Sequence, residues 1–325
     1  MTRRDVSSII GAAVVASPLV AWGQPLDRIP RVGVLIAGPR DQGEQFAAAF
    51  VTRMRELGWL PDQNLRVDYR WAVDADPNRR LVREMLALRP DVILVGGSPA
   101  FWMHEETSTV PVVFLVAIDP VAAGLVASLA HPGGNLTGFT NYDAGFAGKW
   151  IEILKEIAPR ITRAAVLYYP ATKAQTLTLS GIEATAPSFG VRVTAAPVND
   201  AADIEGAITA FAAEPNGSLI VVPNSITLGN ARLILALAAR HHLPVMSSWR
   251  PLTVDGGLIS YGVDTPNMYR QSAAYVDRIL KGEKPADLPV QQATKFELVI
   301  NAKTAKELGL AIPESLLVRA DAVIE

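Results

Sequence analysis

The sequence predicts an α/β protein made of two doubly wound parallel-sheet lobes joined by a multi-strand hinge. Three observations carry that prediction: short continuous apolar runs, amphipathic segments of helical period between them, and a repeat of this rhythm in the two halves of the chain. Continuous apolar runs suit strands covered on both faces, as in parallel sheets. Parallel neighbours need a crossover, and a helix in each crossover implies right-handed βαβ units. The 325 residues, 50% of them apolar, suffice for two domains of roughly 100–200 residues each.

In the first half, strands are expected at 31–36, 65–71, 91–95, 112–116 and 136–138. Between them, Phe46, Phe50, Met54 and Leu57 share one helical face. In the second half, strands are expected at 164–168, 191–195, 219–222, 245–247 and 258–261. The helical faces there are Phe146, Trp150, Ile153 and Ile157, then Ile204, Ile208 and Phe211. Gly58 and Gly190 stand where helices should stop, and Pro90 and Pro244 open the strands that follow.

Pro132-Gly133-Gly134-Asn135 and the segment after Gly138 divide the halves, because domain boundaries fall in turn-forming stretches. Beyond Tyr261-Gly262 comes a helix at 267–280, with Met268, Ser272, Tyr275 and Ile279 on one face. A loop with Pro285 and Pro289, a strand at 296–300 and a helix at 302–308 complete the chain. A chain that returns to the first lobe and crosses back explains these extra elements. The expected division is therefore 31–139 plus 265–284 for lobe 1, and 140–264 plus 285–325 for lobe 2. Several connections between lobes make a hinge rather than a loose linker.

Residues 1–23 stand apart. Arg3 and Arg4 precede an apolar and small-residue run from Ile9 to Ala21, and Ala21-Trp22-Gly23 offers a small-x-small cleavage pattern. This is the layout of a secretory signal peptide, by the Sec or the Tat route, and the run is too short for the ~20 apolar residues of a membrane span. The chain has no cysteine, hence no disulfide, no thiolate metal site and no lipid-anchoring cysteine at the cleavage position. A soluble product retained by an outer barrier, in a periplasm, is the expectation. Net charge is −2 with both signs interspersed, so no basic face suits nucleic acid.

One enzymatic pattern needs weighing. Gly96-Gly97-Ser98-Pro99-Ala100 falls at a strand–turn–helix junction, as a hydrolase nucleophile elbow does, with Asp203 and His241 or His242 downstream. Pro99 removes the backbone N–H after the serine, the donor an oxyanion hole uses, which argues against catalysis. No G-x-G-x-x-G, P-loop or H-E-x-x-H pattern is present, so neither cofactor nor metal is expected.

Several segments resemble the bacterial ABC-transporter substrate-binding proteins of the group that includes tryptophan- and tyrosine-type components. They are Arg31-Val32-Gly33-Val34-Leu35, Leu57-Gly58-Trp59, Tyr69-Arg70-Trp71-Ala72, Arg89-Pro90-Asp91-Val92-Ile93 and Asp119-Pro120-Val121. The most specific is His131-Pro132-Gly133-Gly134-Asn135-Leu136-Thr137-Gly138-Phe139. Leu154-Lys155-Glu156-Ile157-Ala158-Pro159 and Lys295-Phe296-Glu297-Leu298-Val299-Ile300-Asn301 follow in order. The resemblance implies the type I periplasmic-binding-protein fold, a small ligand between the lobes and an ABC permease as partner; a monomer is the default. A periplasmic sensor that presents its ligand to a receptor is the alternative.

In open parallel sheets, ligands bind beyond the carboxyl ends of the strands. That rule selects Gly38 and Gln42 after the first strand, Gly97 and Ser98 after the third, and Asp119 after the fourth. In the second half it selects Tyr169, Asn224, Ser225, Trp249 and Asp264. Ser98 at a helix start suits a carboxylate, Asp119 an ammonium group, and Tyr169 and Trp249 an apolar wall. Each also has a plainer role: Ser98 and Asp119 as helix caps, Asn224 and Ser225 as loop residues, Tyr169 as a turn residue, Trp249 as packing. An amino acid or related carboxylate is the expected ligand.

Overall fold

The computed structural model describes residues 28–72, 75–97, 99–117, 119–141 and 144–325. The expected signal peptide at 1–23 and Ser98 lie outside the described residues, and so does the side chain of Gln42, whose backbone is in the first helix.

Side-chain alternation along the first strand explains how both faces of its sheet are covered. In β1 (Arg31–Ala37), Val32, Val34 and Ile36 point to one buried cluster and Leu35 to another. The first cluster is closed by α1 (Arg40–Glu56), which contributes Phe46, Phe50 and Met54 at four-residue spacing. The chain continues through β2 (Arg66–Ala72), α2 (Ala75–Ala87), β3 (Val92–Gly96), α3 (Pro99–Glu106), β4 (Val112–Ala117) and β5 (Leu136–Thr140). Val82, Met85, Ala100 and Met103 of α2 and α3 cover the opposite face.

The second half repeats the scheme: α4 (Gly148–Ile157), β6 (Arg163–Tyr168), α5 (Lys173–Thr185), β7 (Arg192–Pro197), α6 (Ala201–Phe211), β8 (Gly217–Val221), α7 (Ser225–Gly229), α8 (Ala231–Arg240), β9 (Val245–Ser247), α9 (Arg250–Val254) and β10 (Ile259–Val263). The chain then returns as α10 (Thr265–Leu280) and β11 (Gln291–Gln292), and crosses again to β12 (Phe296–Asn301), α11 (Ala302–Glu307), α12 (Glu314–Arg319) and β13 (Ala322–Ile324). One sheet has the order β11-β5-β4-β3-β1-β2 and the other β13-β12-β10-β9-β8-β6-β7. Every pairing between these strands is parallel except β10 with β12, which run antiparallel. The protein is thus a two-lobed α/β structure of the expected class.

The lobes are linked after β5, between β10 and α10, and between β11 and β12. α10 packs Met268, Tyr269, Ala273 and Val276 into the first lobe's core. The expected return to the second lobe at 285 needs correction. Gln291 and Gln292 pair with Phe139 and Thr140, Val290 N–H donates to Leu129 O at 2.7 Å, and Thr137 Oγ1 donates to Leu288 O at 2.6 Å. The edge of β5 carries unpaired backbone groups, and this extended segment satisfies them before the chain leaves. At the crossings, Phe146, Tyr261 and Phe296 cluster with ring centroids 4.6–5.9 Å apart. Beside them Lys295 Nζ bonds Asp264 Oδ2 at 2.8 Å. Among the described residues, no helix is long and apolar enough to cross a membrane.

Candidate functional site

The carboxyl ends of β1, β3, β6, β8 and β9 converge on one cavity between the lobes, as the strand-tip rule requires. The first lobe supplies Ile36 and Ala37, Gly96 and Gly97, Phe46 of α1, Phe101 of α3 and Tyr269 of α10. The second supplies Thr172, Ala174 and Gln175, Pro223, Asn224 and Leu228, and Ser248 and Trp249. Asn141 and Thr265 enter from two of the crossings. The lobes touch around it: a Cβ on Gly38 would lie 3.4 Å from Leu228 Cδ1, and Phe101 packs against core residues of both lobes.

The wall is aromatic. Phe46 stacks on Tyr269 with centroids 5.5 Å apart. Tyr269 is seated by a missing side chain: a Cβ on Gly96 would sit 1.8 Å from its hydroxyl oxygen. Burial pushes the Tyr269 hydroxyl well above its usual titration range, so it stays protonated. Gly97 turns the chain from β3 into α3 with φ +83°, a conformation that glycine adopts freely. Trp249, 7% exposed, closes the opposite side.

The polar groups divide into two kinds. Some serve the frame. Asn224 caps α7: its Oδ1 accepts from the N–H groups of Ile226 and Thr227 at 2.9 and 3.1 Å. Its Nδ2 donates to Val222 O at 3.0 Å and to Gln175 Oε1 at 3.2 Å. Gln175 in turn donates to Pro223 O at 3.0 Å and accepts from Tyr169 N–H at 3.3 Å. These two side chains tie the β6–α5 and β8–α7 loops together. Other polar groups are left over. Asn141 Oδ1 and Thr172 Oγ1 are buried and have no hydrogen-bond partner, and each residue is only 4% exposed. Thr172 occupies the N-cap position of α5 without making the capping hydrogen bond. An unpaired buried polar atom costs about 1–3 kcal/mol, and the cavity holds two of them among its described lining residues. None of the lining side chains among the described residues carries a charge.

Of the expected site residues, Gly97, Asn224 and Trp249 line the cavity and Gly38 borders it. Among the expected residues with described side chains, Asp119, Tyr169, Ser225 and Asp264 are not part of its lining. Asp119, at φ +42°, accepts from Ala122 N–H at 3.0 Å and caps its own turn. Ser225 is the first residue of α7. Tyr169 packs on a core cluster of the second lobe. Asp264 accepts from Asn267 N–H at the start of α10 and pairs with Lys295 in the open groove beside the hinge. Asp119 and Asp264 have local backbone donors to satisfy and Tyr169 has a core, while Asp264 also lines the wider groove between the lobes. Asp203 bonds Asn199 at the start of α6, and none of the four histidines lines the cavity.

Asn141, Thr172, Gln175, Phe46, Phe101 and Tyr269 escaped the sequence reading. Two had a usable signal. β5 runs to Thr140 rather than 138, which makes Asn141 its tip, and Thr172 stands three residues past the residue taken as the tip of β6. The helix residues facing the cleft gave none, because an apolar helix face reads as core.

The family described as ABC transporter substrate binding protein matches residues 45–324. A tyrosine-binding protein of Clostridioides difficile is 22% identical over 263 residues, 80% of this chain and 75% of that one. The structure of an ABC domain from Streptococcus pneumoniae in complex with L-Trp is 25% identical, with TM-score 0.83, over 91% of this chain and 100% of that one. A conserved domain protein from Vibrio cholerae is 27% identical, with TM-score 0.84 and the same coverage.

Proposed function

We propose that this chain, which belongs to the family of ABC transporter substrate-binding proteins, holds an amino acid with an aromatic side chain between its lobes and delivers it to an importer. The observation that carries the reading is the pairing of an aromatic-walled inter-lobe cavity with two buried, unpartnered polar atoms, Asn141 Oδ1 and Thr172 Oγ1. A flat or branched side chain fills the wall formed by Phe46, Phe101, Trp249 and Tyr269, and the amino-acid head satisfies the polar atoms. The ligands named for the relatives, tyrosine and L-Trp, support this chemistry.

The two-lobed architecture supports delivery. A ligand that contacts both lobes binds the closed arrangement better than the open one and shifts the population toward it. The permease, in the inner membrane, recognises the closed geometry, and no covalent step is involved. The signal-peptide layout of residues 1–23 supports a periplasmic location. The test is a thermal-shift screen of purified protein against amino acids, small acids, nucleosides and sugars. A ligand at 100 times its Kd adds about 2.7 kcal/mol of stability, so L-tryptophan, L-tyrosine or L-phenylalanine should raise Tm. A shift produced by sugars or nucleosides and by no amino acid refutes the reading.

A further inference from the structure

We infer that the cavity holds the two ends of its ligand on separate parts of the fold by neutral groups: the carboxylate on the N-terminus of α5 with Thr172, and the ammonium on Asn141 at the hinge. The inference rests on the amino-acid reading above and assigns the polarity of the ligand within it.

α5 is 13 residues long, and its N-terminus faces the cavity through Thr172, Ala174 and Gln175. The first N–H groups of a helix have no intrahelical partner and carry the positive end of its dipole. A threonine at the N-cap normally satisfies one of them with its own hydroxyl. Thr172 does not. Its Oγ1 is buried and unpaired; Gln175 N–H bonds the backbone carbonyl of Thr172 at 3.1 Å, and the N–H groups of Lys173 and Ala174 receive nothing from the Thr172 hydroxyl. Hydroxyl and backbone N–H together form a donor set, which suits a carboxylate.

Asn141 lines the same cavity from another element. It directly follows β5, at the first crossing between lobes, and its unpaired Oδ1 can only accept. An ammonium group supplies the missing donor. The cavity offers no carboxylate among its described residues to do this by charge. The two anchors therefore hold a zwitterion whose charges cancel, and neither end alone satisfies the site. A site built on hydrogen bonds rejects an analogue that lacks one, because a protein group is then left buried and unpaired.

The experiment titrates three ligands into three proteins by calorimetry. The ligands are L-tryptophan, tryptamine, which lacks the carboxylate, and indole-3-propionate, which lacks the ammonium. The proteins are wild type, Thr172→Val and Asn141→Leu, with Asn141→Asp as a variant that keeps the acceptor. Wild type should bind L-tryptophan about 100-fold more tightly than either analogue. Thr172→Val should weaken L-tryptophan about 10–100-fold and leave tryptamine unchanged. Asn141→Leu should weaken L-tryptophan similarly and leave indole-3-propionate unchanged. Asn141→Asp should keep L-tryptophan and tighten tryptamine. Thermal melts of the ligand-free variants within a few degrees of wild type establish that they fold. Losses that fall equally on both analogues, or the reversed pattern, overturn the assignment while the aromatic amino-acid reading stands. Wild type that binds neither L-tryptophan, L-tyrosine nor L-phenylalanine overturns the reading itself, and the assignment with it.

Discussion

Gly96 shows how a single residue sets the site. Its hydrogen admits the hydroxyl of Tyr269 to a position 1.8 Å from where a Cβ would stand, and the ring carbon Cζ to 2.9 Å. Gly96→Ala should displace Tyr269 from its stack on Phe46, lower Tm and weaken aromatic ligands at least tenfold; Gly96→Ala combined with Tyr269→Phe should recover part of both, since the nearer clash goes and the farther one stays. Melting curves and calorimetry on the single and double variants check this. At this scale the sequence was legible where backbone conformation marks a tip. Gly97 with its positive φ and Trp249 after β9 both reach the cavity. It misled where a polar residue had a local job. Asp119 and Asp264 each cap their own segment, and no pattern in the chain says whether a carboxylate will look inward or down its own helix.

Between elements, two contacts hold the architecture that presents the cavity. Asn224 caps α7 and bonds Gln175, which locks the β6–α5 loop to the β8–α7 loop. Asn224→Ala should cost about 0.5–2 kcal/mol by loss of the cap, read as a lower urea midpoint with unchanged slope. It should also weaken ligand binding, because Thr172 sits on the released loop. On the first lobe, Arg270 of α10 grips Glu56 of α1 through two 2.9 Å hydrogen bonds, and Arg53 adds a third at 2.7 Å. These bonds hold the Glu56 carboxyl at about 2 against an ordinary 4.5. A folded-state value below the unfolded one stabilises above the ordinary pKa and is lost as pH falls through the lowered one. The loss therefore falls between about pH 4.5 and pH 2. Both side chains are solvent-accessible, so screening keeps the effect small. Denaturation at stepped pH should show wild type losing stability over that interval more steeply than Glu56→Gln. The order of the strands up to β10 and the faces of α1, α4, α6 and α10 were legible, since buried runs and helical faces need no tertiary context; α7, α9 and α12, of five or six residues, are too short to show a face. The last strands were not: β11 has two residues and β13 three, too short for any period, and their edge positions come from the partner strand.

Across the whole molecule, three connections join two lobes that meet around one cavity, with the Phe146, Tyr261 and Phe296 rings stacked where the chain crosses. Several short links restrict the lobes to rotation about the hinge, and the ligand supplies the free-energy difference between open and closed arrangements. The absence of cysteine offers a direct way to watch this, because introduced cysteines are the only labelling sites. Glu44 on α1 and Ala239 on α8 are exposed, and neighbours of both line the groove between the lobes. Spin labels on Glu44→Cys and Ala239→Cys, measured by pulsed dipolar spectroscopy with and without saturating L-tryptophan, report whether the ligand draws the lobes together. The distance distribution should be broad or longer without ligand and collapse to one short separation with it. A distribution unchanged by a ligand that calorimetry shows to be bound would place that ligand somewhere other than between the lobes.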